Sequence, residues 1–280
     1  MKGRWILFTL LTAVLLACPL FAAEEDAKDL PWEKGYVNLG AYLADMNSSF
    51  RLGLDNVGFG VIIDTEKFLG MSTNDSAFRL EGGYRLGASR RHKFEFGWFS
   101  FSRQSEKTIG QDVVLPPEMG GDTLYVGTTI SSIFKFDIIR AKYKYAIILD
   151  DRIDMNLGVG FFIMPVKIGL GKIDEERKDQ YITAPLPVFG LGVDVILAEH
   201  WLLRQNLDLF FLRIGSFKGS IINAQAAVEY SNWKHWGIGA GVDGLLLGVE
   251  AEGGDYPLMD FVGELSFSYF GAQLYVKFRY

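Results

Sequence analysis

Three histidines, His92, His200 and His235, are the side chains of this chain best suited to move a proton near neutral pH. Ser–His or Asp–His catalysis needs one of them within hydrogen-bond reach of a hydroxyl or a carboxylate. Each falls instead in a short polar connector: ASRRH (Ala88–His92), AEH (Ala198–His200) or SNWKH (Ser231–His235). Ser100, Ser102 and Ser105 lie on a separate stretch and read as hydroxyls along a strand rather than as nucleophiles. Asp174 and Glu175 are adjacent acids in a charge-rich loop and read as solvated. GIGAGVDG (Gly237–Gly244) imitates a dinucleotide-binding loop, which must turn from a strand into a helix. Here the glycines alternate within an apolar strand pattern. The acids Asp174, Glu175, Glu176, Glu250, Glu252 and Asp255 lack the spacing of a calcium loop. The expectation is therefore no catalytic residue, no metal and no cofactor.

The elements that must position these groups are strands. Phe78, Leu80, Tyr84 and Leu86 oppose Arg79, Glu81 and Arg85. Ile153, Met155, Leu157, Val159 and Phe161 oppose Asp154, Asn156, Gly158 and Gly160. Trp201, Leu203, Leu207, Leu209 and Phe211 oppose Arg204, Asn206 and Asp208, and comparable alternations run over 222–230 and 236–243. Strict period-two alternation places one set on each face of a sheet. The last ten residues, GAQLYVKFRY (Gly271–Tyr280), repeat it, with Ala272, Leu274, Val276, Phe278 and Tyr280 against Gln273, Tyr275, Lys277 and Arg279. A wall apolar outside and polar inside fits a transmembrane barrel. With 14% aromatic residues, 32 Gly and only 8 Pro, the composition suits many strands rather than a helical bundle.

That closing strand, with its terminal aromatic, resembles the carboxy-terminal signal of bacterial outer-membrane β-barrel proteins. The resemblance implies that Leu274, Val276, Phe278 and Tyr280 are read by the barrel-insertion machinery during biogenesis. It also implies outer-membrane lipid and lipopolysaccharide as surroundings. Barrel enzymes of that membrane commonly set a His beside Ser or Asp near the external side, whereas the three histidines here belong to connectors assigned to the periplasmic rim. The expected function is a non-enzymatic outer-membrane barrel, either a small-solute channel or a structural barrel. Alternatives are a barrel enzyme acting on lipid A or phospholipid, and a barrel that docks a periplasmic or surface partner.

The amino terminus agrees. Lys2 and Arg4 precede an uncharged run from Trp5 to Ala23, and Glu24, Glu25 and Asp26 follow. This pattern fits a secretory signal peptide over residues 1–22, cleaved near Ala22 or Ala23, better than a retained anchor. Leu15–Cys18 imitates a lipoprotein processing site, but Leu16 and Pro19 fit it poorly. Export places the protein in the outer membrane of a Gram-negative-type bacterium, with residues 23–35 as a periplasmic segment and 36–280 as the barrel. Removing 1–22 leaves 26 basic against 34 acidic residues, which argues against nucleic acid as a partner.

Long connectors at 64–75, 106–121, 166–180 and 250–257, with the shorter Ser216–Ser220 placed on the same side, alternate with the short polar ones at 88–92, 149–152, 198–200 and 231–235, as long external loops alternate with tight periplasmic turns. Counting back from the carboxy terminus gives nine strands from about Ser76. The segment Tyr36–Asp64 must add an odd number. Three strands, turning at Met46–Asn47 and Asp55–Asn56, give twelve, and one long strand gives ten. Twelve is favoured, since ~9–11 residues suffice to cross a membrane. Changes of parity near Ile138–Ile139 and Phe270–Gly271 read as β-bulges.

On this topology the lumen receives Arg79, Glu81, Arg85, Glu95, Asp154, Arg204, Asp208, Glu229, Asp243, Glu264, Lys277 and Arg279. Both signs are interspersed, so many should pair. They form either a polar plug or a pore lining. Inward glycines at 190, 192, 237, 239 and 241 imply that large side chains or a ligand lie opposite. Trp98, Tyr143, Tyr145, Trp201, Trp233 and Trp236 read as an interfacial girdle, with a sugar platform as the lesser alternative.

Overall fold

The computed structural model describes residues 31–52, 63–110, 112–114, 123–173, 178–215, 217–251 and 263–280. The expected signal peptide, Cys18, the start of the 23–35 segment and the turn expected at Asp55–Asn56 lie outside the described residues. Ten long strands make one sheet: β1 (Gly35–Leu52), β2 (Asn74–Leu86), β3 (His92–Thr108), β4 (Thr129–Leu149), β5 (Ile153–Lys172), β6 (Lys178–Ala198), β7 (Trp201–Ile214), β8 (Phe217–Tyr230), β9 (Trp236–Ala251) and β10 (Gly263–Arg279). Each pairs antiparallel with its neighbours in sequence. The sheet closes where β1 meets β10, in unbroken register from Tyr36↔Arg279 to Leu52↔Gly263. No barrel edge is left open along that seam.

The barrel thus has ten strands, the alternative count, and not the favoured twelve. Met46–Asn47 does not turn: Met46, Ser48 and Phe50 keep one inward parity and every residue there has a ladder partner in β10. Among the described residues of this segment, Ile63–Asp64 returns, pairing with Phe50 and Ser49. The nine strands counted back from the carboxy terminus are β2 to β10. The long loop expected over 166–180 is also shorter, because β5 and β6 remain paired as far as Leu170↔Lys178.

Neither parity change is a bulge. β10 keeps register with both neighbours through Phe270 and Gly271. Ile138 and Ile139 face Phe99 and Trp98 of β3 without a slip. The backbone alternation is constant and the chemistry of the two faces inverts. Near the termini, β1 points Leu39 and Leu43 out and Tyr36 and Asn38 in; farther along, Asp45 and Asn47 point out while Met46 and Phe50 point in. β4 does the same, with Arg140, Lys142 and Lys144 inward below Ile138, Phe136 and Phe134, and with Lys135 exposed. The lower half is apolar outside and charged inside; the upper half is polar outside and apolar inside. Strands of 21 residues in β4 and β6, rising about 3.3 Å per residue, run far past the hydrocarbon thickness of a bilayer. The upper half is therefore built like a water-soluble barrel.

The β2–β3, β4–β5, β6–β7 and β8–β9 turns share the end that carries both termini, and the short β7–β8 connection from Ile214 to Phe217 lies at the other end. In one, Asp150 Oδ1 accepts from the amides of Arg152 (2.8 Å) and Ile153 (2.7 Å), closing LDDR by an Asx turn. Gly87, at φ 71°, and Arg90, at φ 53°, are the two left-handed residues of the β2–β3 turn.

Candidate functional site

The lumen gathers the charged side chains. β1 and β10 bring Tyr36 and Lys277 to the lower mouth, where the preceding residue pair Trp32–Glu33 folds in beneath them. Lys277 Nζ donates to Glu33 Oε1 (2.6 Å) and Glu229 Oε2 (2.7 Å). Arg204, from β7, spans Glu33 (2.9 Å), Glu229 (3.3 Å) and Asp194 of β6 (3.3 Å). Arg85 meets Asp154 at 2.6 Å. One level up, Glu95 receives Lys93 (2.8 Å) and Lys144 (2.8 Å), and Lys142 pairs with Asp208 (2.9 Å). At the top of this layer Arg79 bridges Asp243 (2.6 Å) and Glu81 (2.7 Å), and Arg140 also binds Glu81.

The cations of this network, Arg79, Arg85, Lys93, Arg140, Lys142, Lys144, Arg204 and Lys277, equal the carboxylates, Glu33, Glu81, Glu95, Asp154, Asp194, Asp208, Glu229 and Asp243, in number. Such balance is what burial demands, since an uncompensated charge in a dehydrated interior is costly. Outside the strands, burial pushes the Glu33 carboxyl up, but Lys277 and Arg204 outweigh it and hold it well below the usual range.

Above lies an aromatic layer. Phe136 and Phe267 meet with centroids 4.3 Å apart, and Tyr42, Phe99, Phe101 and Tyr269 form a cluster with separations of 5.6–6.2 Å. The layers are joined by guanidinium groups stacked on rings: Arg79 over Phe99 (5.0 Å) and Arg140 over Phe99 (5.4 Å). At the far end Leu69 and Met71 fold inward, and Arg103 ties Glu66 (2.5 Å) to Ser48 and Thr65. Between the upper levels of the charged layer, a void of about 30 Å³ is lined by Asn38, Glu81, Glu95 and Gln225 among others, and at the lower mouth Glu33, Glu229 and Lys277 edge a wider cavity of about 260 Å³. The upper void is room for about two waters.

Arg79, Glu81, Arg85, Glu95, Asp154, Arg204, Asp208, Glu229, Asp243 and Lys277 lie together here. Arg279 shares the parity of Lys277 but stands at the rim, donating to the carbonyls of Ser231 (3.4 Å) and Trp233 (3.0 Å). Glu264 is a correction: with no bulge in β10 it shares the outward parity of Ser266 and Ser268, and Leu265 takes the lumen position. Sequence reasoning missed Lys93, Arg140, Lys142, Lys144, Asp194 and Glu33. The run Arg140, Lys142, Lys144 against Ala141, Tyr143, Tyr145 carried the signal for three of them.

The inward glycines face side chains rather than an open ligand space. A Cβ at Gly239 would overlap the Tyr275 ring, one at Gly190 would meet Asp208 Oδ1 at 2.7 Å, and one at Gly192 would overlap Asn156. Leu274, Val276, Phe278 and Tyr280 lie on the outward face of β10 beside the seam, where Gly35 and Tyr280 exchange backbone hydrogen bonds of 3.0 and 3.1 Å. Outward aromatics pair at two levels. Trp201 with Tyr230 (4.9 Å) and Trp236 with Phe278 (5.1 Å) mark the lower edge of the apolar belt, and Trp98 with Phe78 (6.5 Å) marks its upper edge.

All three histidines stand at the lower rim. His92 Nδ1 lies 2.6 Å from Tyr143 Oη, and His235 Nδ1 is 3.2 Å from the Arg279 carbonyl. Ser105 Oγ instead bonds the Leu69 carbonyl (2.5 Å), near the opposite end. Among the described residues no group of His, Cys, Asp and Glu has the arrangement of a metal site.

No protein-family model matches the chain, and no curated protein sequence does either. In fold it is similar to the outer membrane protease OmpT of Escherichia coli, with a TM-score of 0.54 and 7% identity over 91% of this chain and 100% of that one. More distant likenesses are Ail of Yersinia pestis (TM-score 0.37, 12% identity, 86% and 99% covered) and Neisserial surface protein A (TM-score 0.36, 14% identity, 88% and 97% covered). The chain has the closed antiparallel all-β fold of bacterial outer-membrane barrels.

Proposed function

We propose that this chain is a non-enzymatic structural barrel of the outer membrane, delivered there by its amino-terminal export signal and sealed by its own side chains. The observation that carries this reading is the stacking of two fillings of unlike chemistry, a charge-neutral ionic layer beneath a packed aromatic layer. A conducting pore needs a continuous wet path, whereas the cations and carboxylates of the ionic layer pair across the lumen and leave a void of only about 30 Å³ between its upper levels. The long polar-faced upper half then stands above the membrane as a rigid collar. Lipid and lipopolysaccharide surround the lower belt, and the terminal strand serves the insertion machinery.

The fold shared with a protease does not bring protease chemistry with it, because function resides in sites rather than folds. The rim position of His92, His200 and His235 supports the non-enzymatic reading. Reconstitution of the purified barrel in planar bilayers tests the seal. The expected record is flat, and reproducible single-channel steps would replace the structural reading with the channel.

A further inference from the structure

The apolar belt is not uniform. Between β8, β9 and β10 its lower half is recessed by a groove of about 530 Å³, walled by Leu39, Val228, Ile238, Ala240, Leu274 and Trp201. The recess exists because the outward residue there is the short Ala240 between longer neighbours; Ala240 pairs with Val228 on one side and Leu274 on the other. At its lower end Trp201 also walls a second, polar cavity of about 260 Å³ at the rim. Toward the lumen this second cavity is lined by Lys277 and by Glu33 and Glu229, with which it pairs, and at the rim it is edged by Glu199, Lys234 and Arg279. Lys234 is exposed and has no ion-pair partner among the described residues, and the Glu199 side chain is 89% exposed, with His200 Nε2 3.9 Å from its Oε1. The apolar slot and the rim pocket thus share Trp201, and beyond the paired Glu33, Glu229 and Lys277 the pocket presents the exposed ammonium of Lys234 and the exposed carboxylate of Glu199.

We infer that this pair of cavities holds one zwitterionic phospholipid of the periplasmic leaflet. An acyl chain fills the slot, the phosphate faces Lys234 and Arg279, and a primary ammonium in the headgroup faces Glu199. The charge pattern selects the occupant: a chain alone would need no rim charges, and an anionic headgroup without an ammonium would leave Glu199 facing it unmatched. Trp201 sits at the depth where a headgroup meets its chains, the usual station of interfacial tryptophan. The inference rests on the membrane placement proposed above and is independent of whether the lumen is sealed.

Native mass spectrometry of the folded, detergent-washed barrel with added phosphatidylethanolamine or phosphatidylglycerol tests it. Phosphatidylethanolamine is expected to bind as a single retained molecule. Ala240→Trp fills the slot from the lipid side without touching the lumen or the rim pocket, and should lower occupancy at least about tenfold, as loss of a few buried methylenes requires. Lys234→Glu and Glu199→Lys, both in exposed turns, should each weaken retention. Heat-modifiable migration on gels verifies that every variant is folded. Equal occupancy in wild type and Ala240→Trp overturns the site, and equal retention of phosphatidylglycerol overturns the headgroup assignment. Conductance of the same samples reads the seal separately, so failure of one reading is not mistaken for failure of the other.

Discussion

Lys277, three residues from the carboxy terminus, donates to Glu33, two residues before the first strand, at 2.6 Å. The two ends of the chain are therefore joined twice, by the β1–β10 ladder and by an ion pair inside the mouth that the ladder creates. Trp32 fixes the approach, since its Nε1 donates to the Asp150 carbonyl (2.6 Å) and Arg90 binds its own carbonyl (3.0 Å). The segment before β1 is thus part of the lower filling, and Glu33 supplies a carboxylate without which the ionic layer would carry excess positive charge.

Glu33→Gln should destabilise the folded barrel by about 3 kcal/mol, the low end for breaking a buried pair, because Lys277 and Arg204 keep Glu229. Its carboxyl is held low in the folded state. The stabilisation is therefore fully present above the unfolded value of about 4.3 and is lost as pH falls from there through the depressed folded value. Urea unfolding in lipid vesicles should show a wild-type midpoint that drops below that pH and a variant that drops less. Parallel profiles would contradict this role.

Asp243 is fully buried and accepts from Arg79 (2.6 Å) and from Asn223 Nδ2 (2.6 Å). Asp243→Ala strands Arg79 under the aromatic layer and should cost about 3–5 kcal/mol. Replacing both partners, Arg79→Met with Asp243→Leu, removes the stranded charge and should recover most of the loss. The comparison is a double-mutant cycle on the unfolding midpoint, and simple additivity would count against a direct coupling.

Phe136→Ala and Phe267→Ala each open a cavity in the upper filling and should cost about 3–5 kcal/mol singly. Because the rings touch, the pair should be less than additive. The ionic layer beneath is intact in both, so the double variant should still give a flat planar-bilayer record. Channel steps in the double variant would show that the lower layer is no second seal.

Much of this was legible in the sequence. The belt of β2, β5, β7 and β9, the closing strand and the short turns follow from period-two alternation, which lipid on one side and water on the other enforce. The count of strands before Ser76 was not legible, because Ser48, Ser49 and the polar pair around Met46 resemble a turn while continuing a strand. Glu264 was misplaced for a related reason. A change from polar-inward to apolar-inward chemistry and a one-residue slip of the backbone leave the same trace in a single sequence, and only the cross-strand register separates them. Glu33 escaped because a lone acid before the first strand carries no periodicity at all.

The inversion itself can be read chemically. If alternation continues unslipped, Lys135 and Ser266 face water on the outside of the upper half, while Phe136 and Leu265 face the packed interior. In the lower half the outward Phe96 faces lipid, and the inward Gly97 faces the ionic layer. The predicted mature chain carries no cysteine, so single replacements are clean probes. A membrane-impermeant maleimide applied to the folded barrel in vesicles should label cysteine at 135 or 266 quickly. At 136, 265 or 96 it should react only after unfolding. A β-bulge at either parity change would exchange these results above it, labelling 136 and 265 and sparing 135 and 266. The two arrangements thus predict opposite labelling at four positions, and a contrast at 135 and 136 alone decides between a slipped strand and one continuous wall whose surroundings change from lipid to water.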